Sequence, residues 1–123
     1  PKMHSIGLQR RVAEANAEIG LAWTLGQQNC DLLEAAMEHD PPMAPEARAQ
    51  VRWNAAYAAE LCRRAADRLY AGAGANAAHN SHAMQSVFRN VNTATHHAML
   101  DFDSTLEIQG KMLLGVEQPD AMI

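Results

Sequence analysis

Apolar residues recur along this chain at spacings of three, four and seven, and no stretch shows the two-residue alternation of a strand. The period is helical, and it divides the chain into four segments. The first is predicted over 5–38, where Val12, Ile19, Trp23, Gly26, Cys30, Leu33 and Met37 draw one stripe. Asp40, Pro41 and Pro42 should stop it, because proline cannot continue the hydrogen-bond ladder. The second runs over 45–70, with Pro45 and Glu46 suited to a first turn and Val51, Ala55, Ala58, Cys62, Ala65 and Leu69 as its stripe. Ala71-Gly72-Ala73-Gly74 is its glycine stop. The third is predicted over 79–99 and carries Met84, Val87, Val91, Ala94 and Ala98 on one face. The fourth spans 104–114, opened by a capping box of Ser104 with Glu107 and closed by Gly115. The tail after it, with Pro119, should fray.

Four amphipathic helices with short links predict an all-α, up-down four-helix bundle forming a single domain over 1–123. The first helix is too long for a bundle of this size. Its overhang would expose apolar surface, so a partner domain or subunit is expected against it. The chain also opens on Pro1 with an amphipathic segment already under way, which reads as one part of a longer protein.

Composition sharpens this picture. Of 123 residues, 48% are hydrophobic but only 5% aromatic, so alanine carries the apolar share and close helix packing is favoured. The net charge of −4 argues against a nucleic-acid partner, which needs clustered cations. The nearest cluster, Arg63, Arg64 and Arg68, is interrupted by Glu60 and Asp67 and reads as a solvated face with i,i+4 ion pairs. Cys30 and Cys62 read as small buried hydrophobes in a reducing, cytoplasmic setting. No apolar run approaches the roughly 20 residues a membrane span requires.

Candidate chemistry gathers on the third helix. Gln85, Arg89, Asn90, Asn92, Thr93, Thr95, His96 and His97 crowd it, although Asn and Thr are weak helix formers. A polar cavity or an interface is the natural reading. His79 and His82 have the spacing of a zinc-binding pair, but further ligands at workable spacing are missing, so no metal is expected. His97 and Asp101 lie four apart and would hydrogen-bond if the helix continued that far. A carboxylate that orients imidazole is an acid–base device, though a surface pair has the same spacing. Gly72-Ala73-Gly74 lacks the lysine and preceding strand of a phosphate loop and reads as a helix stop.

The order of features then becomes familiar. Leu69-Tyr70-Ala71-Gly72-Ala73-Gly74 precedes Met84-Gln85-Ser86-Val87-Phe88-Arg89-Asn90-Val91. Thr93-Ala94-Thr95-His96-His97 follows, and a last helix ends Met112-Leu113-Leu114-Gly115. Over nearly its whole length the chain resembles the C-terminal helical domain of the acyl-CoA dehydrogenase superfamily. More narrowly, it is similar to the flavin-dependent monooxygenase branch, the oxygenase components of two-component aromatic hydroxylases. The most specific stretch is 88–97, where Arg89, Asn90 and His97 fall on branch positions. Ser86 and Ala83 stand where the branch often has Arg and Pro.

The resemblance implies an enzyme that uses reduced FMN or FAD, supplied by a separate flavin reductase, and O₂ to hydroxylate an aromatic or related small molecule. His97 would hold the activated oxygen or take a phenol's proton, and Asp101 would orient it. His79, Ser81, Gln85 and Arg89 would lie near the flavin. The domain would build a homo-oligomer, a tetramer or dimer, and alone would be inactive. Two alternatives stand beside this reading. One is an acyl-CoA dehydrogenase-like oxidoreductase, with Asp103 near the place of the family's basic Glu. The other is a non-catalytic helical oligomerisation module.

Overall fold

The computed structural model describes residues 2–38 and 43–117. The predicted stop at Asp40, Pro41 and Pro42 and the tail from Gln118 onward lie outside the described residues. Four α-helices are found among those described: α1 (Ile6–Met37), α2 (Pro45–Ala73), α3 (Ala83–Thr95) and α4 (Phe102–Leu113). Short 3-10 turns at Ala75–Ala78 and Ala98–Leu100 lead into α3 and α4. The fold is all-α, as expected. Its packing is centred on α2, against which each of the other three helices lies.

α1 and α2 form a long antiparallel hairpin. Gly72 faces Leu8, Arg68 bonds Glu14 at 2.8 Å and Glu18 at 3.1 Å, and Asn29 Nδ2 donates to the Val51 carbonyl at 2.8 Å. A Cβ at Gly72 would lie 3.0 Å from Leu8 Cδ1, so its absence lets the two helices close there. Alanines do the same work along the seam: Ala15, Ala22 and Ala65 are buried.

The stripe expected to form the α1 core does not. Leu8, Ala15, Ala22, Leu25, Asn29 and Leu32 face α2, whereas Val12, Ile19, Trp23, Leu33 and Met37 are exposed, Trp23 at 70% and Met37 at 86%. α1 therefore carries two apolar stripes, roughly a quarter turn apart. On the inner stripe alanine supplies the fully buried positions, Ala15 and Ala22, and Leu8, Leu25 and Leu32 are half-buried between and beyond them. Cys30 lies on the outer stripe and is exposed, which corrects its assignment to the core, while Cys62 is half-buried; both are free.

α2 runs three residues beyond its predicted end. Gly72 stays helical, and Gly74 stops the helix at φ 77°, a conformation costly for other residues. Its buried residues, Ala49, Asn54, Ala56, Leu61, Ala65 and Ala66, encircle it, as befits a helix covered on several sides.

α3 is much shorter than predicted. His82 caps its start, with Nδ1 accepting from the Met84 amide. Near its end Asn92, Thr93 and Thr95 turn their side chains back onto the carbonyls of Phe88, Arg89 and Asn92. Such bonds compete with helix propagation, and α3 ends before His96. Val87 and Ala94 of its expected stripe are exposed, and the packed face is Met84, Phe88, Val91, Asn92 and Thr95, with Phe88 stacked 4.3 Å from Tyr70.

The capping box at Ser104 is also corrected. The N-cap of α4 is Asp101, Ser104 sits inside the helix, and Glu107 pairs with Lys111 instead. Gly115 closes α4 as expected, at φ 69°, with Gly115 and Val116 amides returning to Met112 and Lys111.

Candidate active site

A cleft of about 760 Å³ opens where α2, the end of α3 and the entry to α4 converge. Ala56, Ala59, Glu60 and Arg63 form its α2 wall, Asn92, Thr95 and His96 its α3 side, and Leu100, Asp101, Phe102 and Asp103 its α4 rim. Three of the eight polar residues that made α3 conspicuous, Asn92, Thr95 and His96, thus border a cavity; the other five do not. At one edge Phe102 stacks 6.2 Å from Trp53 and packs 5.7 Å from Tyr57, which fixes the first turn of α4 against α2.

The α2 wall is an ion-pair network. Arg63 binds Glu60 through Nε and Nη2, each at 2.8 Å, and Asp67 through Nη1 at 2.6 Å. Arg64 adds a second guanidinium to Glu60 at 2.8 Å. The expected i,i+4 pairs are present, Arg63 with Asp67 and Arg64 with Glu60; of these residues Glu60 and Arg63 also line the cleft. Asn92 ties α3 into the network through Asp67 at 3.3 Å.

The Arg63 hydrogen bond, with Arg64 behind it and burial opposing, holds the Glu60 carboxyl at about 2 instead of 4.5. A carboxyl lowered in the folded state stabilises the fold fully above its unfolded value and loses that contribution as pH falls through the folded one. Glu60→Gln should therefore cost about 1 kcal/mol near neutrality, a figure kept small because the guanidinia are partly solvated. The difference from wild type should fade between pH 4.5 and about 2. Urea unfolding across that range checks it, and a pH-independent gap would sink it.

The expected site residues fall into two groups. His79 and Ser81 are exposed in the connection before α3, while Gln85 and Arg89 stand one turn apart on α3 itself. No described side chain bonds the Arg89 guanidinium. His97 lies beyond α3, where its Nδ1 accepts from the Met99 amide at 3.2 Å and caps the following 3-10 turn. Asp101 lies on the far side of that turn and lines the cleft. The helix that would have joined His97 to Asp101 is absent, and no hydrogen bond links them. Among the described residues no three potential metal ligands gather, and no helix is long and apolar enough to cross a membrane.

Glu60, Arg63, Asn92 and His96 were not among the expected site residues. The i,i+3 and i,i+4 charges of α2 signalled their mutual pairing but not which way they face. His96 was visible only as the neighbour of His97.

A family model described as acyl-CoA dehydrogenase, C-terminal domain, matches residues 4–102. The oxygenase component of p-hydroxyphenylacetate 3-hydroxylase from Acinetobacter baumannii is 32% identical over 114 residues, covering 92% of this chain and 27% of that protein. A pigment production hydroxylase from Rhodococcus sp. (strain ATCC 21145) is 30% identical, covering 89% of this chain and 30% of that one. The chain thus spans under a third of these relatives. The crystal structure of 3-HSA hydroxylase from Rhodococcus sp. RHA1 superimposes with a TM-score of 0.84 over 95% of this chain and 30% of its own, at 24% identity, which bears on the fold. With residues 4–102 of 123 matched by the family model, the chain belongs to the acyl-CoA dehydrogenase C-terminal domain family.

Proposed function

We propose that this chain is the C-terminal domain of the oxygenase component of a two-component, flavin-dependent aromatic hydroxylase. The observation that carries the reading is the polar cleft at the end of α3, with His96, Asp101 and Asp103 on its border and His97 beside it. Hydroxylation of a ring needs donors that hold oxygen and groups that manage a phenolic proton, and this cleft offers both. The names of the two curated relatives point the same way.

The residues suit a flavin. Arg89 offers an exposed cation, with Gln85 one turn earlier and the Ser81 hydroxyl near the α3 N-terminus, a set fitted to the polar, anionic portion of FMN or FAD. When bound, reduced flavin supplies the activation of O₂. The chain's own residues do the positioning. Met99's amide donates to His97 Nδ1, so a neutral His97 carries its hydrogen on Nε2 and presents a donor to a substrate or oxygen atom. Asp101 acts from the cleft wall, not by orienting His97. The outer stripe of α1, with Trp23 and Ile19 exposed, is assigned to a second copy of the chain in a homo-oligomer. A separate reductase supplies the reduced flavin, and the two free cysteines suit a reducing cytoplasm.

The dehydrogenase alternative has one specific support, Asp103 on the cleft rim. The full-length protein distinguishes the two. With a flavin reductase, NADH, FMN or FAD and a phenol under ¹⁸O₂, the product should gain one labelled oxygen atom. Oxidation of an acyl-CoA ester, abolished by Asp103→Ala, would establish the alternative instead. Hydrogen peroxide as the sole product across a phenol panel would remove the hydroxylase reading.

A further inference from the structure

We propose that His96 accepts the proton of a phenolic hydroxyl in the cleft, while its neighbour His97 serves only as a donor. The inference rests on the hydroxylase reading above and deepens it by dividing the work between two adjacent residues.

The argument comes from their ring hydrogen bonds. His96 Nδ1 is bonded to the Asn92 carbonyl oxygen. A carbonyl oxygen only accepts, so Nδ1 carries the hydrogen, and neutral His96 keeps a lone pair on Nε2. His97 is the reverse: its Nδ1 receives the Met99 amide, which places its hydrogen on Nε2. His82 shares that second arrangement through the Met84 amide. Of these three histidines His96 alone presents a basic ring nitrogen, and it alone lines the cleft. The backbone sets this difference. α3 ends at Thr95, so His96 still reaches back one turn to a helical carbonyl, whereas His97 already opens the next turn and meets an amide.

The other charged groups on the cleft fit a proton acceptor at this position. Glu60, Asp101 and Asp103 border it, and Arg63 is already engaged by Glu60 and Asp67. This balance disfavours an entering anion, so the substrate presents a neutral hydroxyl here. Proton transfer breaks the phenolic O–H bond and forms N–H at His96 Nε2, giving phenolate and imidazolium.

The full-length protein without flavin, mixed with 4-nitrophenol, tests this through the colour of the phenolate. At a pH where the free probe is mostly un-ionised, wild type should raise the phenolate-to-phenol ratio of bound probe about tenfold. His96→Asn should abolish that shift with the probe still bound. If His96→Asn keeps the shift, the assignment of His96 falls while the hydroxylase reading stands. If wild type does not bind the probe, the proton-acceptor role falls, and the ¹⁸O₂ experiment alone then judges the hydroxylase. Nitrogen-15 histidine NMR of the wild type requires no variant to fold. Unprotonated Nε2 on His96 is the expected result, and protonated Nε2 on neutral His96 overturns the proposal.

Discussion

Full-length protein carrying both Ile19→Glu and Trp23→Glu is expected to run as a monomer, and wild type, on the proposed reading, as an oligomer. The two residues lie on the outer stripe of α1, 49% and 70% exposed, and the hairpin with α2 uses neither. Burying a large apolar side chain is worth about 1.5–3 kcal/mol. Two such residues, scaled by the exposure they have left to lose and counted once per copy across a symmetric seam, amount to about 3.5–7 kcal/mol, before four buried glutamates add their desolvation. At about 1.4 kcal/mol per tenfold, the association constant should fall by several orders of magnitude. Light scattering reads the mass, and circular dichroism should show the helix content unchanged. An oligomer of unaltered mass would mean that the stripe is covered by another part of the same polypeptide.

The second large effect is on turnover. His97→Ala in the full-length protein should lower hydroxylation about 100-fold or more, the usual scale for losing one hydrogen-bond donor aimed at developing charge. Alanine removes both the Nε2 donor and the cap on Met99. His97→Asn separates these roles, because the Asn carbonyl oxygen can still receive the Met99 amide. If His97 acts as a donor, Asn should be nearly as damaging as Ala, with more of the oxygen escaping as hydrogen peroxide. Recovery of most activity in His97→Asn would reduce His97 to a structural cap. Less than a twofold loss in His97→Ala would remove it from the site.

The four helices, their order and the family were legible in the sequence because spacing and punctuation are local. Pro45, Gly74 and Gly115 mark boundaries through backbone geometry alone. What failed depended on neighbours. The exposed apolar residues of α1 marked a real surface, but not the one facing α2, because periodicity cannot rank two adjacent apolar stripes on one helix. Ser104 and Glu107 matched a capping pattern that tertiary packing of Phe102 against Trp53 and Tyr57 displaced by one turn. The site was half legible. Crowded polar residues pointed to the end of α3, yet which histidine presents a lone pair depends on where that helix stops. Asn92, Thr93 and Thr95 bond back to main-chain carbonyls near that end, which spacing does not reveal.

The central place of α2 has a mechanical meaning. One side of it bears α1, and the other forms a wall of the cleft with Glu60 and Arg63. On the proposed reading, the partition between subunit seam and reaction chamber is α1 backed by a single further helix. A bend in α2 therefore cannot stay private to either compartment. Heating that loosens the assembly should deform the chamber in the same step, so quaternary dissociation and loss of ligand retention should share one transition.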